Sequence, residues 1–317
     1  MENFDGRLAV VTGGGTGMGR ELVIQLAAEG CSVATCDLFE DVIAETAERA
    51  LKEAPAGTKV TTHLCDMSDA AQVERFRDEV VAQHATDHVN LVFNNAGVGG
   101  GGSFIAGDRG EWERTFDIDW GGVYNGCRSF VPLLIASDDG YLVNTSSVNG
   151  FWASIGPGRP HTAYSAAKFA VKGFTEALIE DFAVNAPHVK CAVVMPGHIG
   201  TDIVLNSRKV LAGSDVGDLT DTDIDGFREQ MGAMLPDTLT NDQIRELIKG
   251  MGEGFRDNAP LSAAQAATII LDGVRAEKWR ILVGDDAHRL DQAVRANPEG
   301  AYGPGGLDLL NTILPGN

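Results

Sequence analysis

No stretch of this 317-residue chain approaches the ~18 to 20 apolar residues that a bilayer-spanning helix needs. Its first residues, Met1-Glu2-Asn3-Phe4-Asp5, lack the basic and apolar segments of a secretory signal. Together these absences lead to the expectation of a cytoplasmic protein. Basic residues are scarce as well: 25 Lys and Arg stand against 45 Asp and Glu, a formal net charge of -20. A field of that sign repels phosphate backbones and anionic lipid, so nucleic acid and membranes are disfavoured as partners, while a local site for a dinucleotide stays open. The five cysteines (Cys31, Cys36, Cys65, Cys127, Cys191) form no C-x-x-C pair. Neither disulfides nor a metal site is indicated, and small buried thiols are the ordinary reading.

What is present is enough apolar residue, 44% with 22% charged, to fill a core. Apolar, β-rich runs at 7–12, 32–36, 59–65, 89–93, 141–145, 189–195 and 280–283 alternate with helical patterns near 18–29, 41–54, 70–83, 111–135, 163–184 and 263–276. Strands apolar on both faces and separated by helices predict a parallel sheet covered on both sides, a doubly wound α/β fold. The expected organisation is one domain with a core at about 5–203 and 259–283. Residues 204–258, with weaker helices near 223–231 and 241–251, read as a helical lid inserted over the active site. Residues 284–317, rich in Gly and Pro, read as a C-terminal extension packing on the domain surface. Neither part has the apolar periodicity for a core of its own.

Three stretches carry chemistry. In Tyr164-Ser165-Ala166-Ala167-Lys168, positions i and i+4 of a helix bring a phenol and an ammonium to one small volume. A nearby cation favours the phenolate, each unit of lowering requiring roughly 1.4 kcal/mol, so Tyr164 is a candidate acid/base. By itself the pattern also fits a helix with an exposed lysine. In Thr12-Gly13-Gly14-Gly15-Thr16-Gly17-Met18-Gly19, glycines at a strand-to-helix turn let the backbone approach a pyrophosphate held at the helix N-terminus. The spacing G-x-x-x-G-x-G differs from the general G-x-G-x-x-G fingerprint, and alone it also fits a flexible turn. Asp37 ends the second strand, where a carboxylate accepts from the adenosine ribose hydroxyls and repels a 2′-phosphate. With no Lys or Arg in Gly14-Gly15-Thr16 or directly after Asp37, NAD is favoured over NADP; a cap or turn role for Asp37 is the alternative.

With these residues in order, the chain resembles the classical short-chain dehydrogenase/reductase family, of Rossmann-like fold, over roughly 5–203 and again around 259–283. The matching pieces include Cys65-Asp66-Met67, Asn94-Asn95-Ala96-Gly97, Ser146-Ser147-Val148-Asn149-Gly150, the Tyr164 to Lys168 stretch, and Pro196-Gly197 followed by Thr201. The resemblance implies a cofactor site made of Gly13, Thr16, Gly17, Met18 and Gly19 with Asp37, then Asp66, Met67, Asn94, Ala96 and Gly97. Pro196, Gly197, Ile199 and Thr201 would hold the nicotinamide. It implies that Tyr164 is the general acid/base, that Lys168 lowers its pKa and binds the nicotinamide ribose, and that Ser147, with Ser146 as its neighbour, bonds the substrate oxygen. The cofactor would be NAD, the reaction oxidation of a secondary alcohol to a ketone, and the assembly a homodimer or homotetramer through helices near 111–135 and 163–184.

The sequence departs from the family at two places. Asp119 stands where the family has an asparagine. If that residue acts through its backbone carbonyl, positioning a water in a proton relay to Lys168, aspartate can substitute; if its side chain matters, the carboxylate holds Lys168 charged and slows the relay. The interval from Ser147 to Tyr164 is longer than usual, so Phe151 and Trp152 are expected to line the substrate pocket with Met195, Ile203, Val204, Leu205, Met231, Met234 and Met251. That lining suits a bulky aryl or polycyclic alcohol, although the same residues also fit ordinary packing. His161 and His198 lie in nearby loops, where a surface or structural role is the ordinary reading. The rival functions are an NADPH-linked ketone reductase and a catalytically silent dinucleotide-sensing protein.

Overall fold

Strand β1 (Leu8–Thr12) is buried from end to end. Because side chains alternate along a strand, Ala9 and Val11 enter one apolar cluster while Leu8 and Val10 enter another on the opposite face. A strand apolar on both faces has to be covered on both, and the chain supplies helices in turn. The computed structural model describes residues 1–213, 215–231, 235–236, 238–303 and 305–307. After β1 come α1 (Gly17–Ala28), β2 (Ser32–Asp37), α2 (Glu40–Glu53), β3 (Val60–Leu64), α3 (Ala70–His84) and β4 (Leu91–Asn94). Then follow α4 (Arg109–Phe116), α5 (Gly122–Ile135), β5 (Tyr141–Thr145), α6 (Thr162–Asn185), β6 (Lys190–Pro196), β7 (Ile199–Gly200), α7 (Ile203–Ala212), α8 (Asp221–Met231) and α9 (Asn241–Asp257). The described part ends with β8 (Leu261–Ser262), α10 (Ala263–Arg275), β9 (Arg280–Val283) and α11 (Asp285–Ala296).

Seven strands form one parallel sheet in the order β3-β2-β1-β4-β5-β6-β9, with β7 and β8 paired apart. Apolar residues of α1 and α10 cover one face, and those of α3, α5 and α6 the other. This is the doubly wound α/β fold. The chain builds outward from β1 to β3, then returns to place β4 on the other side of β1. Such a reversal opens a crevice at the carboxyl ends of the strands, between β1 and β4.

Four features differ from the sequence expectations. The helix expected over 111–135 is two helices joined by a π-helical turn, Asp117–Gly121, where the Gly121-Gly122 pair weakens helix propensity. The turn carries Asp119 into the interior, fully buried. Residues 204–258 have a small core of their own after all: Leu219, Ile224, Phe227, Ile244 and Ile248 are buried together, and a Thr240–Gln243 capping box starts α9. The C-terminal extension packs through a helix that its Gly and Pro content did not predict: α11 follows β9 directly, with Ala287, Leu290 and Val294 on one face packed against Val148 and Trp152. Trp152 and Met195, expected in a substrate pocket, are both fully buried. Trp152 Nε1 donates to the Ala301 carbonyl at 3.0 Å, so it anchors the extension. Met234 and residues 308–317 lie outside the described residues, as does the side chain of Met231. Among the described residues no helix is long and apolar enough to cross a membrane.

Candidate active site

The glycine loop leaves β1 at Thr12, whose Oγ1 accepts from the amides of Asn95 (3.0 Å) and Ala96 (3.1 Å) and so draws the β4 loop alongside. Contact there is tight: a Cβ on Gly13 (φ +66°) would sit 2.7 Å from Ala96 Cα, and one on Gly19 would sit 2.0 Å from the Gly13 carbonyl oxygen. Thr16 precedes α1 without a side-chain capping bond, which leaves the first amides of α1 open to an anion. A groove of about 190 Å³ runs from this loop. Gly13, Thr16, Gly17 and Met18 border it on one side, and Asp66, Met67, Ala96, Gly97 and Thr201 elsewhere, with Asp37 at one end. A glycine cradle, open helix amides and a carboxylate along one groove fit a dinucleotide.

The Asp37 carboxylate accepts from Gly15 N (2.9 Å) and Leu38 N (2.8 Å); burial pushes its pKa up and these amides draw it back. Arg20 is close by, but its guanidinium is committed to Gly15 O, Thr46 Oγ1 and Glu45. A cation that sequence reasoning missed reaches this end from the lid. Lys209 of α7 borders the groove with Nζ 4.6 Å over the Phe39 ring, and it also pairs with Asp215 at 3.3 Å. Asp66 is engaged by Ser68 (2.7 Å) and Arg114 (2.5 Å), which hold its pKa down against its own burial.

Not every expected cofactor residue reaches the groove. Asn94 is turned into the protein, its Nδ2 donating to Asn144 Oδ1 at 2.8 Å, and Asn95 borders the groove in its place. Gly19 packs beneath the loop, Pro196 is buried at the end of β6, and Ile199 belongs to the core. Gly197 is pressed against Asp286, a residue from α11 that no motif signalled.

Beside Gly97, which lines the groove, α6 projects Tyr164 and Lys168 one turn apart. Lys168 is buried, with Nζ 3.3 Å from the Thr145 carbonyl, 3.3 Å from Asp119 Oδ1 and 5.3 Å from the Tyr164 ring centroid. Burial lowers the Lys168 pKa, but Asp119 and Tyr164 outweigh it and the ammonium is held charged. Asp119 Oδ1 also accepts from Val98 N at 3.0 Å, while Oδ2 has no partner, and burial pushes this carboxyl up despite Lys168. The Asp119 side chain is therefore in the cluster. The expectation that Lys168 lowers the Tyr164 pKa holds for that contact alone. Burial raises the phenol above its ordinary 10.0, Lys168 and the Ser147 hydroxyl pull it back, and Asp119 adds to the rise, leaving it raised.

The two serines divide their contacts. Ser146 Oγ donates to the Lys168 carbonyl at 2.7 Å and so fixes α6, whereas Ser147 addresses Tyr164 and caps the turn Val148–Gly150 through Asn149 N (3.1 Å). Gly97 joins groove to cluster: a Cβ there would lie 2.6 Å from Asp119 Oδ1 and 3.2 Å from Lys168 Nζ. His161 is also part of the cluster, its ring 4.7 Å from that of Tyr164, and burial lowers its pKa to about 4, so it is neutral. His198 serves structure, with Nε2 donating to the Phe255 carbonyl at 2.6 Å. All five cysteines are buried and unpaired; burial pushes Cys31, Cys127 and Cys191 up to about 12. Among the described residues no group of three or more His, Cys, Asp or Glu could hold a metal ion.

Comparison with known proteins places these features in a group. The sequence model of the family described as short chain dehydrogenase matches residues 7–211. SadH of Mycobacterium tuberculosis, named as an oxidoreductase, is 34% identical over 295 residues, 93% of this chain and 92% of that protein. Levodione reductase of Leifsonia aquatica is 31% identical over 212 residues, 66% of this chain and 75% of that one. Among solved structures, a short chain dehydrogenase/reductase from Burkholderia phymatum in complex with NAD is 26% identical and superposes with a TM-score of 0.74, covering 96% of this chain and 98% of that one.

Proposed function

The chain belongs to the short-chain dehydrogenase family of oxidoreductases, and on that premise we propose that it interconverts a secondary alcohol and a ketone with NAD(H), Tyr164 acting as general acid/base. The observation that carries this reading is the junction at Gly97, where a groove fit for a dinucleotide meets the cluster of Ser147, Tyr164, Lys168 and Asp119. Gly13, Gly17 and the first amides of α1 would hold the pyrophosphate, and Asp37 the adenosine ribose. When bound, the cofactor supplies the hydride-transfer centre.

The remaining chemistry falls to the chain. In oxidation the Tyr164 phenolate takes the proton from the substrate hydroxyl while Ser147 Oγ donates to the same oxygen; in reduction the phenol returns the proton. Lys168 stabilises the phenolate through its fixed positive charge, and Asp119 keeps that charge in place. Tyr164→Phe is expected to lower kcat by on the order of 10² to 10⁴ while NADH binding persists. Turnover unchanged in that variant would falsify the mechanism, and NADH binding with no turnover of any substrate would favour a sensing protein instead.

Preference for NAD rests on Asp37, on the committed donors of Arg20 and on the pairing of Lys209 with Asp215. Asp37→Ala should narrow the gap between NAD and NADP, read as the ratio of kcat/KM with each; an unchanged ratio removes Asp37 from that role. The substrate is proposed to be apolar, on fewer residues than the sequence suggested. Trp152 and Met195 are occupied elsewhere, and what supports the reading is the apolar start of α7, Ile203, Val204 and Leu205. Spectrophotometry of NADH formation across aliphatic, aryl and polycyclic secondary alcohols tests it. We further take the protein to be a homodimer or homotetramer.

A further inference from the structure

We infer that Asp286, at the start of α11, is a positioning residue that holds the Gly197-His198 peptide in the shape that receives the nicotinamide half of the cofactor. The inference rests on reading residues 196–201 as the nicotinamide side of the site. Asp286 lies outside the segment matched by the family model, in an extension that the sequence assigned to the surface. Its side chain is 1% exposed, and Oδ2 accepts from His198 N at 2.6 Å. Two glycines enclose the carboxylate. A Cβ on Gly197 would come within 2.1 Å of Oδ2, and one on Gly284 (φ +105°) within 2.3 Å of Oδ1. Oδ1 itself has no partner.

Burying a carboxylate with one donor is unfavourable, offset here in part by its place in the first turn of α11, where the helix dipole favours an anion. A side chain present only to fill space would be apolar. What this one does is fix a peptide at which three elements converge. Gly197 N donates to the Val283 carbonyl of β9 at 3.0 Å, His198 N to Asp286 of α11, and the His198 ring to the Phe255 carbonyl of α9 in the lid. The same helix braces the other side of the site, since Ala287 and Leu290 pack on Val148 and Trp152 in and beside the turn that Ser147 caps. Remove the Asp286 carboxylate and His198 N loses its acceptor inside the protein, so the segment 196–201 loses its fixed shape while the glycine loop is untouched.

The test is to measure dissociation constants of the full-length protein for NADH and for ADP-ribose, which keeps the adenosine and pyrophosphate and lacks the nicotinamide. Asp286→Ala is expected to weaken NADH about tenfold or more, the loss of one charge-assisted hydrogen bond, and ADP-ribose by less than about twofold. Asp286→Asn should recover most of the NADH affinity, because its amide oxygen accepts from His198 N. If Asp286→Ala does not fold, Asp286→Ser, whose hydroxyl is too short to reach His198 N, carries the same readout, with the same selective loss of NADH expected. Equal weakening of both ligands, or of neither, overturns the assignment of Asp286. A wild-type protein that binds ADP-ribose as tightly as NADH instead removes the nicotinamide reading of the site, and the inference with it.

Discussion

Asp119 places a fully buried carboxylate 3.3 Å from Lys168 Nζ, and the charge balance around Tyr164 turns on it. The groups facing the phenol are Lys168 and the Ser147 hydroxyl, which favour the phenolate, Asp119, which opposes it, and the neutral His161 ring tilted against it. Burial is the largest influence and acts with Asp119, so the phenol holds its proton to higher pH than it would otherwise. On the proposed mechanism, oxidation needs the phenolate and fails as pH falls through the Tyr164 pKa; reduction needs the phenol and fails as pH rises through it. Asp119→Asn removes a negative charge without changing shape. With Tyr164 still facing Lys168 to hold it charged, both limbs should therefore move to lower pH, and oxidation at neutral pH should become faster relative to reduction; movement to higher pH would mean that Asp119 acts chiefly by keeping Lys168 an ammonium. Profiles of kcat/KM against pH in the two directions check this. A profile that does not move would mean that Asp119 acts only through its backbone and the Val98 contact. Both possibilities were legible at the departure from asparagine; the turn that buries the side chain was not.

Helix α7 shows what an inserted element does for the site. Ile203, Asn206 and Val210, spaced i, i+3 and i+7, all border the groove, so one face of the helix lies along it. Asn206 Nδ2 donates to Thr16 Oγ1 at 3.0 Å, and Ser207 Oγ accepts from Gly99 N at 2.6 Å, tying the helix to both walls. Asn206→Ala removes one neutral hydrogen bond, about 1 kcal/mol, and should speed NADH release about fivefold with little change in thermal stability; stopped-flow fluorescence measures the rate. An unchanged rate would mean that α7 does not retain the cofactor. The regular elements were readable from sequence because strands apolar on both faces and helices with a single apolar stripe announce themselves. The irregular ones were not. The same i, i+3, i+7 spacing stood in α7 and in α11, at Ala287, Leu290 and Val294, but Gly-, Pro- and Asp-rich surroundings masked it. In the same way Trp152 read as pocket lining, because its partner Ala301 is remote in sequence and nothing local records that contact.

At the scale of the whole molecule, a net charge of -20 meets an apolar surface on α5 and α6. Tyr124 and Phe169 are 45% and 41% exposed, and Trp120, just before α5, packs edge-on against Phe174 of α6 at 5.4 Å, so the two helices present adjoining apolar surface. A Cβ on Gly121 or Gly173 would meet nothing within 4 Å, which leaves room for close approach along both helices. Burying this surface between copies is favourable, whereas bringing two strongly acidic copies together is not. The balance depends on screening: the Debye length falls from about 30 Å at 0.01 M salt to about 8 Å at 0.15 M, shorter than the distance over which most charges of two copies face each other. Association should therefore tighten as salt rises, the reverse of an interface held by ion pairs. Light scattering on the column eluate at the two salt concentrations should give a larger fraction of dimer or tetramer at the higher one, with Phe169→Glu returning it toward monomer. Association that weakens with salt would place the interface on charged surface elsewhere, and a monomer at both would mean that this apolar face is not used between copies.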